Sequence, residues 1–228
     1  MNVKLRTQIF LCDMCSEEYL DSVMLSRYSI SAHNNASSYT GALFSLRETS
    51  LAAGQIDRFR FERDAQLLIL PLVGKLHVKR ANSFQKSEVG EMRLLSLPAG
   101  DTCDILNNYQ SSDIHYLIAA FSTNKSLEAY AGFSLMGNKL KTVFRNIASE
   151  GLRKTAIGKF SGRTEAVYRP SSAYTFAWVV QGAFEVEDCL LEKSDGLALM
   201  GEKPIEFEAL SNEAIIIFME STPQESAY

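Results

Sequence analysis

The sequence predicts an all-β protein built from two copies of one small β domain, and three observations carry that prediction. Residues 67–79, Leu-Leu-Ile-Leu-Pro-Leu-Val-Gly-Lys-Leu-His-Val-Lys, form an apolar strand, a turn at Gly74 and a second strand with period two. Residues 175–188, Thr-Phe-Ala-Trp-Val-Val-Gln-Gly-Ala-Phe-Glu-Val-Glu-Asp, repeat the design around Gly182, roughly a hundred residues later. Between and around them short β-rich runs alternate with turn residues, and no long stretch carries the apolar stripe of a helix.

In chain order, strands are expected at 4–11 and 41–45. They then crowd together at 56–63, 67–73, 76–80, 92–97, 103–106 and 114–121. Turns fall at Asn82-Ser83, Val89-Gly90, Pro98-Ala99-Gly100 and Asn107-Asn108, while the small polar residues of 26–39 read as loop. The polar stretch 123–132 is the linker candidate, with a short helical possibility at 127–130, and divides a first domain, 1–122, from a second, 133–228. The second half repeats the pattern with strands at 140–148, 155–160, 165–168, 174–180, 183–188, 196–200, 205–209 and 214–220. Many short strands at this spacing indicate a sandwich or barrel.

At 228 residues the chain is long enough for two sizeable cores. Hydrophobic residues at 46% against 22% charged describe a globular protein, and a net charge of −4 without a basic face argues against nucleic acid as a partner. The N-terminal apolar run is too short for a signal-peptide core and no stretch reaches transmembrane length, so no membrane partner and a cytoplasmic location are expected. Four cysteines in a chain this long do not make a disulfide framework.

The Pro98-Ala99-Gly100 turn, the two strand–glycine–strand hairpins and the run from Gly158-Lys-Phe-Ser-Gly-Arg through Gln181-Gly-Ala-Phe-Glu-Val-Glu-Asp-Cys-Leu-Leu-Glu-Lys-Ser-Asp-Gly-Leu-Ala-Leu199 carry a resemblance. They resemble the pirin-like bicupins, which include the bacterial quercetin 2,3-dioxygenase-like proteins. The resemblance implies two cupin-type jelly-roll barrels in one chain. For active members it implies one metal, usually iron, in the N-terminal barrel, and flavonol cleavage with dioxygen. It also implies a His-x-His pair ahead of the first glycine hairpin and a histidine with a carboxylate after the Ala-Gly turn. Counted from Gly74 and from Ala99-Gly100, those places fall on Arg60, Glu62, Ile105 and Asn107. Arginine does not give up its proton and isoleucine has no lone pair, so the set is degenerate and no metal cofactor is expected.

The histidines are not spaced as a metal pair. His33 lies in the polar loop, His77 alternates with Lys75 and Lys79 on a solvent-facing row, and His115 sits on a strand in a hydrogen-bonded structural role. Cys12 and Cys15 have the spacing of half a zinc site or a redox pair. No second close pair exists, and the α/β context of a redox pair is missing, so they read as two unlinked thiols at a strand end. Glu185, Glu187 and Asp188 read as the exposed face of a strand, and Phe176, Trp178 and Val180 as core.

A barrel without a metal still has an interior. With the facing the resemblance implies, Arg60, Glu62 and Gln66 point inward and, with Ile105 and Asn107, line a pocket for a small-molecule ligand. Plain burial preference gives the opposite facing, with Phe59 and Phe61 inside and the charges in solvent. The functional expectation is a metal-free small-molecule-binding or protein-interaction module without dioxygenase activity, its protein partner unspecified. The alternative is a quercetin 2,3-dioxygenase-like oxygenase with an atypical metal site.

Overall fold

A computed structural model describes residues 6–20, 23–31, 37–81, 83–145 and 150–224. The first half runs β1 (Arg6–Phe10), β2 (Ser16–Leu20), β3 (Met24–Ile30), β4 (Leu43–Leu51), β5 (Ile56–Arg60), β6 (Ala65–Val73), β7 (Leu76–Arg80), β8 (Ser83–Ser87), β9 (Glu91–Leu97), β10 (Thr102–Leu106), β11 (Ile114–Ser122) and β12 (Ala129–Gly132). The second runs β13 (Lys139–Arg145), β14 (Leu152–Phe160), β15 (Glu165–Tyr168), β16 (Tyr174–Gln181), β17 (Phe184–Val186), β18 (Cys189–Leu191), β19 (Gly196–Met200), β20 (Ile205–Ala209) and β21 (Ala214–Ser221). Helix among the described residues is confined to a 3-10 turn at Cys12–Met14 and one α-turn, α1 (Ser37–Thr40). No helix is long and apolar enough to cross a membrane.

Each half closes a large sheet over a four-stranded one. In the first half a sheet in the order β12-β9-β6-β11-β4-β3-β2 covers β5-β10-β7-β8. In the second β1-β19-β16-β21-β14-β13 covers β15-β20-β17-β18. Strands β3 to β11 correspond one for one with β13 to β21, and every pairing is antiparallel. The repeat expected around Gly74 and Gly182 is therefore a repeat of the whole barrel.

Three cores follow from this arrangement. One lies inside each barrel, around Leu67, Ile69, Val78, Ile105 and Ile118 in the first and Phe160, Val179, Phe184, Leu197 and Phe218 in the second. The third lies between the two large sheets, with Leu46, Leu68, Leu70, Leu94 and Leu117 facing Ile157, Phe176, Trp178 and Ile217. Successive side chains of a strand point to opposite faces, so β6 and β16 each feed two cores. That is why the 67–73 run is unbroken by polar residues: both faces of its sheet are buried.

The structure departs from the sequence expectations at the edges. β1 pairs with β19, so residues 6–10 complete the second barrel's sheet although they lie within the 1–122 segment. β12, inside the expected linker, is a strand paired with β9 and not a helical turn. β3 occupies residues expected as loop. Its Ser26 is fully buried, with its hydroxyl 2.9 Å from Thr49 Oγ1, so the strand is held by a polar cross-strand contact that apolar periodicity does not register. β2 is exposed along its whole length, and β8 and β18 are short. The expected strand at 140–148 ends at Arg145 within the described residues, and His33 lies outside them.

The two hairpin glycines occupy the left-handed region at φ +77° and +76°, but their surroundings differ. A Cβ at Gly74 meets Ile114 Cγ2 at 2.9 Å and Tyr109 Cε2 at 3.2 Å, with no backbone atom among its nearest neighbours. A Cβ at Gly182 meets Ser211 Oγ at 2.3 Å, an oxygen already accepting the Ala183 N–H, with Ala214 Cα at 3.1 Å behind it. Gly182→Ala is expected to cost about 1–3 kcal/mol more than Gly74→Ala, the margin being overpacking against backbone. Urea unfolding of the two variants checks this, and equal midpoints would contradict it.

Candidate functional site

The place to look for chemistry is the interior of the N-terminal barrel, where β5 and β10 run side by side. On β5 and the residues after it, Asp57, Phe59 and Phe61 turn inward and Arg58, Arg60 and Glu62 turn out. Arg60 and Glu62 do form an ion pair, at 3.3 Å, but their side chains are 62% and 86% exposed. The inward facing proposed for them is thus corrected. Two aromatic rings lose more by exposure than two charges lose by staying in water.

The other three candidate residues are buried but not gathered around a common pocket. Ile105 is in the barrel core, opposite Asp57 on β5 and Val78 on β7. Asn107 closes a turn: its amide nitrogen donates to Leu51 O at 3.0 Å and Ser112 O at 2.9 Å, and its Oδ1 accepts the Tyr109 N–H. Gln66 faces the other barrel, its Oε1 accepting the Leu152 N–H at 2.9 Å. Each therefore has a structural task, and the ligand pocket expected from them does not form.

What fills the barrel is an ion pair that the sequence reading missed. Arg47 on β4 reaches Asp57 with Nη2 to Oδ2 at 2.6 Å and Nη1 to Oδ1 at 3.3 Å, both side chains about 95% buried or more. Tyr116 on β11 donates its hydroxyl to the same Oδ2 at 2.6 Å, and the guanidinium carbon lies 4.4 Å over the Phe59 ring. Burial alone would lower the Arg47 pKa, but Asp57 and the nearby tyrosines outweigh it and hold the guanidinium charged. Burial and the neighbouring carboxylate raise the Tyr116 hydroxyl well above its usual range.

These residues do not fit a metal. Asp57, the inward carboxylate among the described residues of this region, has both oxygens taken by Arg47 and Tyr116. The positions beside it are phenylalanine, isoleucine and Cys103, whose thiol burial pushes up to about 12. A divalent ion beside a fixed guanidinium is repelled, and a protonated thiol is a poor ligand. Among the described residues no group of three or more histidine, cysteine or acidic side chains is placed to hold a metal ion.

The second barrel has a counterpart built from the same chemistry. Lys154 on β14 gives its ammonium to Glu220 Oε1 at 2.8 Å, and Tyr168 on β15 donates to the same oxygen at 2.6 Å. Ser171 satisfies Oε2 with its backbone N–H and its hydroxyl. Burial would raise the Glu220 carboxyl, but the hydrogen bonds from Lys154, Ser171 and Tyr168 outweigh it and hold it below its usual value of 4.5.

The remaining motifs resolve plainly. His77 stacks on Phe84, with its Nδ1 3.1 Å from Asn108 Nδ2. His115 sets Nε2 2.9 Å from Glu48 Oε1, a buried carboxylate that also accepts the Ser194 hydroxyl from the second barrel. Cys12 and Cys15 sit in the 3-10 turn where the chain leaves one barrel's sheet for the other's. The Cys12 N–H is anchored on Asp195 Oδ1 at 2.7 Å, and burial raises both thiols, the reverse of an activated cysteine. Glu185, Glu187 and Asp188 lie on the outer face of the second barrel's small sheet, beside Glu165, Glu206 and Glu208.

Two barrels of this construction, joined through their large sheets, define the class: a bicupin. Within it, residues 155–220 match the quercetinase C-terminal cupin domain, and the fold is similar to that of the bacterial pirins. The crystal structure of YhhW from Escherichia coli superposes with a TM-score of 0.80 at 14% identity, covering 97% of this chain and 100% of that one. The nickel(II) complex of the bacterial pirin YhhW, also from Escherichia coli, gives 0.77 at 14% identity, with 96% and 100% covered. Quercetin 2,3-dioxygenase from Acinetobacter baumannii gives 0.69 at 12% identity, with 96% and 80% covered. No curated protein matches the chain by sequence.

Two outcomes are expected of the buried pairs. Arg47→Met leaves Asp57 uncompensated and is expected to cost about 3–5 kcal/mol, whereas Arg47→Met with Asp57→Leu recovers most of that. Urea unfolding of the single and double variants tests it, and a double variant as unstable as the single would refute it. Because the folded Glu220 pKa is depressed, its contribution is complete above the unfolded value of 4.5 and is lost as pH falls through the folded value. Glu220→Gln is therefore expected to flatten the acid limb of the stability profile. An unchanged slope below pH 4.5 would show that this carboxylate does not carry it.

Proposed function

We propose that this bicupin does not carry out metal-dependent flavonol oxygenation and serves as a binding or interaction module. The observation that supports the reading is the commitment of Asp57, the one inward carboxylate of β5, to Arg47 and Tyr116. Dioxygenase chemistry in this family rests on a metal with open positions for substrate and oxygen, held by imidazole and carboxylate ligands. Here the inward side chains along β5 and β10 are aromatic, aliphatic, already paired or, at Cys103, a buried thiol. The likeness to a nickel-bound pirin and to a quercetin dioxygenase extends to the fold, and the buried Arg47–Asp57–Tyr116 cluster is what supports the metal-free reading here.

Purified protein exposed to iron(II) and to nickel(II), then desalted, is expected to keep far less than one metal per chain and to take up no oxygen with quercetin. Introducing histidine at positions 60 and 62 does not change this, since both face solvent. Stoichiometric metal together with quercetin turnover in the unaltered protein would overturn the reading and restore the oxygenase alternative.

A further inference from the structure

Where the two large sheets part, the interface core opens into a cleft of about 400 Å³. Leu72, Phe133, Leu135, Ile157, Val180 and Ile215 supply apolar wall from both barrels, and Ser134, His115, Gln181 and Lys193 supply polar side chains. That size and composition suit a small organic ligand.

The barrel repeat shows that the polar groups are not demanded by the scaffold. The β11–β6 register skips Leu72 and the β21–β16 register skips Val180, two residues before Gly74 and Gly182 respectively. These corresponding bulges turn Leu72 and Val180 into the cleft. The same registers set His115 opposite Val73 and Ile215 opposite Gln181. The first barrel thus has Val73 where the second has Gln181, and the second has Ile215 where the first has His115.

His115 is held in place: a buried carboxylate, Glu48, fixes its Nε2 and leaves Nδ1 as the ring's remaining hydrogen-bonding atom. Glu48 is itself compensated, since burial would raise its carboxyl but His115, Ser194 and Lys193 together hold it low. Lys193 stands exposed in the turn after β18. It is near enough to Glu48 to feel its charge but has no salt bridge within 4 Å among the described residues, and no aspartate or glutamate lines the cleft.

We propose that the cleft between the barrels binds a small monocarboxylic acid with an apolar body, its head at Lys193 and its body between Leu72 and Val180. The single lining charge is positive, which selects an anion over an amine, and the apolar walls select a tail over a sugar or a phosphate ester. This goes beyond the reading of the barrel interior and stands whether or not that interior takes a metal.

Calorimetric titration with sodium octanoate, 1-octanol and octylamine, on full-length protein of measured metal content, tests it. Octanoate is expected to bind one per chain and roughly tenfold or more tighter than either neutral or cationic probe. Lys193→Ala is expected to cost octanoate roughly tenfold and leave 1-octanol unchanged, and Lys193→Glu to shift preference to octylamine. Lys193 lies in an exposed turn, so these variants keep the fold, and Ile215→Trp, which fills the cleft, is expected to abolish binding. Equal affinity for the three probes, octanoate binding indifferent to Lys193, or no octanoate binding would each overturn the proposal. Metal content bears only on the barrel interior, so the two readings fail separately.

Discussion

Burying both faces of the two large sheets is the constraint on which the rest of the molecule depends. Each sheet closes a barrel on one side and meets its counterpart on the other, so its central strands have no solvent face. Leu67 and Ile69 enter one core while Leu68 and Leu70 enter another, and Phe176 and Trp178 do the same against Ala177 and Val179. Polar side chains on these strands must then find partners inside the protein. Arg47 with Asp57, Lys154 with Glu220 and Glu48 with His115 are three solutions to that one problem.

The buried pairs also decide what the barrels can do. A carboxylate inside a cupin barrel is a metal ligand only if its lone pairs are free. In each half a cation and a tyrosine hydroxyl hold the carboxylate, and in the second Ser171 takes its other oxygen. The acid and the tyrosine exchange strands between the halves: β5 and β11 in the first, β21 and β15 in the second. The two arrangements therefore share chemistry without sharing positions.

Sequence disclosed the architecture well because the architecture is written in apolar periodicity. The hairpins at Gly74 and Gly182 and the apolar runs of β6 and β16 are signals of burial, and burial is what the fold requires of them. β3 was opaque for the opposite reason, since Ser26 is buried through a bond to Thr49 that no local pattern announces. The candidate site was the least legible part. Counting from Gly74 located the right strand but not its facing, and the alternation of Phe59 and Phe61 with Arg60 and Glu62 was the clue that favoured the observed one. Arg47, ten residues before Asp57 in the chain, becomes its partner only once β4 and β5 are folded into the same barrel.

The exchange of edge strands carries a consequence for how the molecule is assembled. β1 finds its partner on β19, and Cys12 is tethered to Asp195, 183 residues away, so the opening of this sequence is the finishing piece of its second half. The first barrel holds all its own sheet strands between β2 and β12, whereas the second, cut free at residue 133, would present the bare edge of β19 to solvent. Synthesis in the N-to-C direction thus leaves β1 waiting while the first barrel closes behind it, and the second barrel is capped by a piece of chain made before β13 to β21. The halves are alike in shape and unequal in independence.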